Sequence, residues 1–233
     1  MLRRRRNEDP DQAEPWPAGD DASASGSGGP WDVHEDVPEA ERIDFGSLRV
    51  PVLEGFEVQV SMAEDQPAWV TVVRGDSGLQ LQAFAAPKTG GLWADVREEI
   101  AAEVVKAGGE CDEADGPFGV EVRARIAPPG PAGPGATRHP VRFLGVDGPR
   151  WFLRGVISGP AADRADLAEP LEEVFAGVVV VRGDHPVPPR DLLEIRLPEE
   201  ALQALTEAAG EPEGGHWGGI EPFERGPEIT ETR

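Results

Sequence analysis

Residues 145–159, Gly-Val-Asp-Gly-Pro-Arg-Trp-Phe-Leu-Arg-Gly-Val-Ile-Ser-Gly, constrain the fold more than any other stretch. Asp147-Gly148-Pro149 is a turn signal, and a strand-like run leaves it on each side, 141–146 before and 151–158 after. Strands joined by so short a connection lie antiparallel, because a parallel pair needs a crossover of a dozen residues or more. The arrangement occurs a second time. Residues 69–74 and 79–84 flank Gly75-Asp76-Ser77-Gly78, another hairpin signal. Two apolar-rich runs, 48–53 and 56–62, are separated by Glu54-Gly55. In the second, Phe56, Val58 and Val60 alternate with Glu57, Gln59 and Ser61, so one face is expected to be wet. Val120, Val122, Ala124 and Ile126 form a further alternating strand.

The period changes between these strands. Trp93, Val96, Ile100 and Val104 recur at three and four residues, with Asp95, Arg97, Glu98, Glu99 and Glu103 opposite them, the pattern of an amphipathic helix. Thr89 is placed near its N-cap, and Gly108-Gly109 supply a left-handed stop. A second helix is expected between residues 163 and 176, with Leu167, Leu171, Val174 and Phe175 on one face. Pro170 would mark its first turn and Gly177 its end. Residues 178–182 read as a buried strand and 192–197 as an edge strand. The Pro/Gly run 128–136 continues neither element. The expected fold is α+β: a mainly antiparallel sheet with two or three packed helices, an α/β sandwich.

Charge sets the limits of the folded part. The chain holds 44 Asp plus Glu against 22 Lys plus Arg, a formal net charge of −22. Residues 1–40 and 199–233 are acidic and rich in small or turn-forming residues, a composition that buries too little apolar surface to offset its ordering entropy. They are expected to be disordered tails around a single domain over 41–198, with a possible short helix near 199–209. Four consecutive arginines, Arg3 to Arg6, start like a signal peptide, but no apolar region follows, and no run reaches the roughly 20 apolar residues of a membrane span. A cytoplasmic protein without a membrane span is expected, and its charge disfavours direct DNA binding. The oligomeric state is not fixed by the sequence. Cys111, the one cysteine, stands among Glu110, Asp112 and Glu113, surroundings that do not activate a thiol.

Some motifs stand out as a group: Gly29-Pro30-Trp31-Asp32; Arg42-Ile43-Asp44-Phe45-Gly46-Ser47-Leu48-Arg49-Val50-Pro51; residues 145–159; and Val180-Val181-Arg182-Gly183-Asp184 with Pro186, Pro188 and Pro189. Together they resemble an actinobacterial family built on a domain of unknown function, over about residues 29 to 200. The resemblance implies no activity. The order of strands and helices is also similar to the sandwich fold of the photosystem II extrinsic protein P and of a Ran-binding import factor.

Motifs of catalysis are missing. There is no phosphate-binding loop, no Gly-x-Ser-x-Gly elbow, and the four histidines, His34, His139, His185 and His216, have no metal-ligand spacing. No catalytic residue, metal or cofactor is assigned. The binding candidates are aromatic and guanidinium side chains. On a strand, Trp151 and Leu153 face one way, and Phe152 and Arg154 the other. Arg150, Trp151 and Arg154 then form an anion- or peptide-binding face, or else Trp151 is core and Arg154 pairs with an acid such as Asp147. Arg182 ends a buried strand. Trp31 either anchors a partner or packs on its own domain, and Trp217 lies in a polar, glycine-rich segment suited to a partner groove. These features favour a non-catalytic binding or adaptor protein with a protein partner. The alternatives are an enzyme using Arg182, Asp184 and His185, or Asp147 and Arg154, and an acidic regulator of a basic partner.

Overall fold

The computed structural model describes residues 28–63, 66–127 and 138–198. In chain order the strands are β1 (Trp31–Asp32), β2 (Arg42–Asp44), β3 (Leu48–Pro51), β4 (Glu57–Ala63), β5 (Gln66–Arg74) and β6 (Ser77–Ala85). Helix α1 (Leu92–Lys106) follows, then β7 (Glu110–Gly116), β8 (Gly119–Ile126), β9 (His139–Gly148) and β10 (Trp151–Ser158). A 3₁₀ turn (Gly159–Ala162), helix α2 (Ala165–Gly177) and β11 (Val179–Val180) complete the order.

Seven strands build an antiparallel sheet in the order β4-β5-β6-β10-β9-β8-β7. The two hairpins read from the sequence are β5–β6 and β9–β10, and they meet at the centre, where β10 pairs with β6. A second sheet of four short strands runs β1-β11-β3-β2, with β1 parallel to β11 and the rest antiparallel. The fold is therefore α+β and mostly antiparallel, with two α-helices among the described residues.

Alternation along the central strands feeds two cores. Val70, Val72, Leu79, Leu81, Leu153 and Ile157 point to one face and pack with Leu171, Val174 and Phe175 of α2 and with Leu48, Val50 and Val180 of the small sheet. Phe152, Val122 and Ala124 point to the other face and pack with Leu92, Trp93, Ile100 and Val104 of α1. The molecule thus has three layers: α1, the large sheet, and α2 with the small sheet.

Several sequence expectations change. Residues 31 and 32, upstream of the boundary expected at residue 41, form β1, and the strands β3 and β4 enter different sheets. Pro170 lies inside α2 and not in its first turn. The strand expected over 178–182 is confined to two residues. That expected over 192–197 makes two isolated bridges, Phe84 to Leu192 and Gly46 to Ile195. A strand the sequence hid is β7, whose acids Glu110 and Asp112 face Arg125 and Arg123 of β8 in register, opposite charges that offset its poor strand propensity. The loop at 128–136, residues 1–27 of the expected N-terminal tail, and the expected C-terminal tail with Trp217 lie outside the described residues.

Candidate functional site

Trp151, Phe152 and Leu153 open β10 and are all buried, so Trp151 is core, not surface. Its indole Nε1–H donates to Oδ2 of Asp32 at 2.6 Å, and Asp32 is itself buried. Trp31 precedes it in β1, partly buried, with its backbone N–H bonded to the carbonyl of Val178 at 2.8 Å. Arg150 occupies the β9–β10 turn with a positive φ of 64°, exposed, its carbonyl accepting from the N–H of Ala86. Arg182 directs Nη1 to the carbonyls of Gly183 and His185, so its head is used in shaping its own loop.

Arg154 has a different setting. The antiparallel register puts it directly across from Gln82 on β6, on the face that α1 covers. Its Nη2 donates to the Gln82 carbonyl oxygen, and its guanidinium lies 5.4 Å from the centre of the Phe84 ring. Nε–H is buried with no hydrogen-bond partner, and among the described residues no carboxylate forms a salt bridge with Arg154. Burial pushes its pKa below the ordinary arginine value, against the field of Glu103. Asp147, expected as a partner, is engaged elsewhere: its carboxylate accepts from the backbone N–H groups of Leu92 and Trp93 at the start of α1.

Arg154 lines a groove of about 170 Å³ together with Phe84, Leu92, Val96, Glu99, Phe152 and Arg190. The floor is aromatic: Phe152 stacks on Phe84 at 5.9 Å and on Trp93 at 5.7 Å. Trp93 is fixed in turn by its Nε1–H, which donates to the Val120 carbonyl at 2.8 Å. At the rim, Arg190 crosses to α1 and binds Glu99 at 2.5 Å and Asp95 at 3.2 Å. Its backbone has a positive φ of 75° and its N–H bonds Ala85, so the segment after β11 is held against the sheet. Leu192, exposed, follows Arg190 and bridges Phe84.

Of the candidates read from the sequence, only Arg154 lines this groove. The other candidates among the described residues, Trp31, Arg150, Trp151 and Arg182, are in different places. Gln82 and Phe84 were legible in principle, since the alternation of β6 puts them on one face, but joining them to Arg154 needs the strand register. Arg190 and Glu99 are 91 residues apart in sequence and carry no common signal.

A wider cavity of about 480 Å³ lies between the β5–β6 turn and the start of α2, lined by Arg74, Asp76, Ser77, Arg164, Asp166 and Pro170 among others. Both of its cations are engaged, Arg164 with Asp166 at 2.6 Å and Arg74 over the Phe56 ring. A third group of charges ties β8 and β9 to α2. Arg142 donates to Glu121 and to Glu172, each at 2.7 Å, and Arg123 also reaches Glu121. Burial works against the Arg142 charge, but the two carboxylates outweigh it and raise its pKa. This group is closed on itself and touches neither cavity.

A family model described as "Protein of unknown function (DUF3710)" matches residues 29–204. No curated protein matches the chain. Among solved structures, the solution structure of cyanobacterial PsbP (CyanoP) from Synechocystis sp. PCC 6803 is 15% identical. It covers 66% of this chain and 100% of its own, with a TM-score of 0.38, too loose a likeness to carry an argument.

Proposed function

This chain belongs to the DUF3710 family, and we propose that its domain is a non-catalytic binding module whose recognition face is the groove along α1, anchored by Arg154. One observation carries the reading. A half-buried arginine, its Nε–H buried without a hydrogen-bond partner and with no contacting carboxylate, lines a groove with an aromatic floor. Desolvating a cation without an ionic partner costs several kcal/mol in the extreme and is normally offset by pairing. Leaving that position open suits a partner that brings the counter-charge with it. Apolar walls around one charged anchor are also the usual make-up of a protein-binding hot spot.

The same lining argues against catalysis in the groove. Its one carboxylate, Glu99, is held by Arg190, and no hydroxyl, thiol or imidazole lines it. A reading in which Arg182, Asp184 and His185 do chemistry gains no support, since none of them lines either cavity described above.

Position-specific photocrosslinking in the native cell tests the proposal. A crosslinking residue at Val96 or Leu192 is expected to give a discrete protein adduct that disappears with Arg154→Ala. One at Gln59, exposed on the far edge strand β4, should give none. Adducts of equal yield from the groove positions and from Gln59, or an adduct from Val96 that survives Arg154→Ala, would remove the groove from consideration.

A further inference from the structure

The groove also indicates what enters it. Taking the groove as the binding face, we infer that the group seated on Arg154 is a single carboxylate on a short apolar arm. It would be the side chain of an acidic residue in an otherwise neutral or basic segment of a protein partner. The inference rests on the reading of the previous subsection and adds the chemistry of the occupant.

Size excludes most alternatives. Pockets for cofactors and drug-sized ligands run to about 300–1,000 Å³, whereas this groove offers about 170 Å³. That is room for one side chain. The walls sort the shape of the arm: Leu92 and Val96 from the helix and Phe84 and Phe152 from the sheet present hydrocarbon on both sides. The anchor sorts the head group. Arg154 has one neutral partner, the Gln82 carbonyl, and a buried Nε–H with none. A buried N–H left unmatched carries a desolvation cost of about 1–3 kcal/mol, which an entering acceptor removes. A guanidinium fork takes a carboxylate bidentately, with strong, short, charge-assisted bonds.

Charge then separates a carboxylate from a phosphate. Glu99 lines the groove, and Glu103 on the same helix acts on the Arg154 charge. Arg190, the other cation on the lining, is already held by Glu99 and Asp95. With Arg190 taken up by Glu99 and Asp95, Arg154 is the one cation of the lining left to match an entering anion, which suits a monoanion better than a dianion. The chain's formal charge of −22 extends the same rule outward, so the residues flanking the inserted acid should not themselves be acidic.

The unmade bond gives the assay its signal. The Arg154 Nε–H resonance of the full ¹⁵N-labelled chain is followed while sodium propionate, the glutamate side chain in isolation, is added at constant ionic strength. Propionamide and inorganic phosphate are the matched comparisons. The Arg154 signal should move saturably with propionate, with a midpoint on the order of 10 mM, reasonable for so small a probe. The response to propionamide and to phosphate should be at least about tenfold weaker. Arg154→Lys should keep the backbone spectrum, showing that it folds, while backbone amide signals around Val96 lose their response to propionate.

No movement of the Arg154 signal at about tenfold excess over that midpoint would overturn the inference, as would an equal response to propionamide or phosphate. If the carboxylate test fails while the Val96 adduct forms and depends on Arg154, the groove is the binding face and the occupant has another chemistry. If both fail, both readings fall.

Discussion

Single residues in this domain act as staples between distant segments. The Trp151 indole and the Asp32 carboxylate, 119 positions apart, join the two sequence motifs that stand out most, Gly-Pro-Trp-Asp and Gly-Pro-Arg-Trp. The glycines of the second motif serve the same packing. A Cβ on Gly145 would overlap the Trp93 ring, one on Gly148 would overlap Trp151, and one on Gly155 would press on Phe175. Three aromatic rings thus sit close on the backbone because three glycines leave room for them. Ser47 extends the pattern, its backbone carbonyl accepting from Val181 and its hydroxyl donating to the Leu193 carbonyl. These motifs mark where chain segments lock together, a structural role that indicates no chemistry. The Trp151–Asp32 bond can be weighed by a double-mutant cycle of Trp151→Phe and Asp32→Ala in urea unfolding. A buried bond to a charged acceptor contributes about 1.5–3 kcal/mol, and that coupling is expected here, separate from the packing lost with the indole. A coupling below about 0.5 kcal/mol would mean that the two residues are neighbours and not a staple.

Among the elements, those with a local period were legible and those held by distant partners were not. Helix α1 follows from Trp93, Val96, Ile100 and Val104, and both hairpins follow from alternation around a turn. The start of α1 does not: Thr89 is unused, the N-cap is Gly91 in a left-handed conformation, and the free N–H groups of Leu92 and Trp93 are satisfied by Asp147 from the β9–β10 hairpin. The acidic strand β7 and the Arg154 groove were hidden for the same reason, since each depends on which strand lies alongside. Asp147 makes the dependence testable. Burial holds its carboxyl above the ordinary carboxylate range, Asp95 adds to this, and the Trp93 and Leu92 N–H groups oppose it. A raised folded-state pKa means that the folded protein holds the proton more tightly than the unfolded chain. The stability from this residue is therefore full below the unfolded value of about 3.9 and is lost as pH rises through the folded value. Asparagine keeps an accepting oxygen and does not titrate. Wild type should thus lose stability relative to Asp147→Asn as pH rises above about 3.9 in urea unfolding. A relative gain would show that attraction between the anion and the helix N-terminus outweighs burial.

For the whole molecule, closure comes from the two ends of the described chain. The small sheet draws β1, β2 and β3 from before the large sheet and β11 from after α2, and its Leu48, Val50 and Val180 cover the same core face as α2. Leu193 and Ile195 follow β11 into that core. The family match begins at residue 29, two residues before β1. A domain cut at residue 41, where composition alone places the edge of the fold, would lose the segment that supplies Asp32 to Trp151 and donates to the carbonyls of Val178 and Val180. Composition gives no sign of β1 because residues 28–41 contribute a few specific bonds and one partly buried tryptophan, not a run of apolar side chains. The loss can be measured by comparing urea unfolding of fragments 28–198 and 41–198. The unmatched indole N–H alone costs about 1–3 kcal/mol, and removing a strand that caps β11 adds to it. Fragment 41–198 is therefore expected to be less stable by at least about 2 kcal/mol, with a lower midpoint. Its Trp151 fluorescence should also shift, because the indole loses its charged acceptor. Equal midpoints for the two fragments would show that β1 lies on a fold already closed without it, and that the Gly-Pro-Trp-Asp motif serves something other than stability.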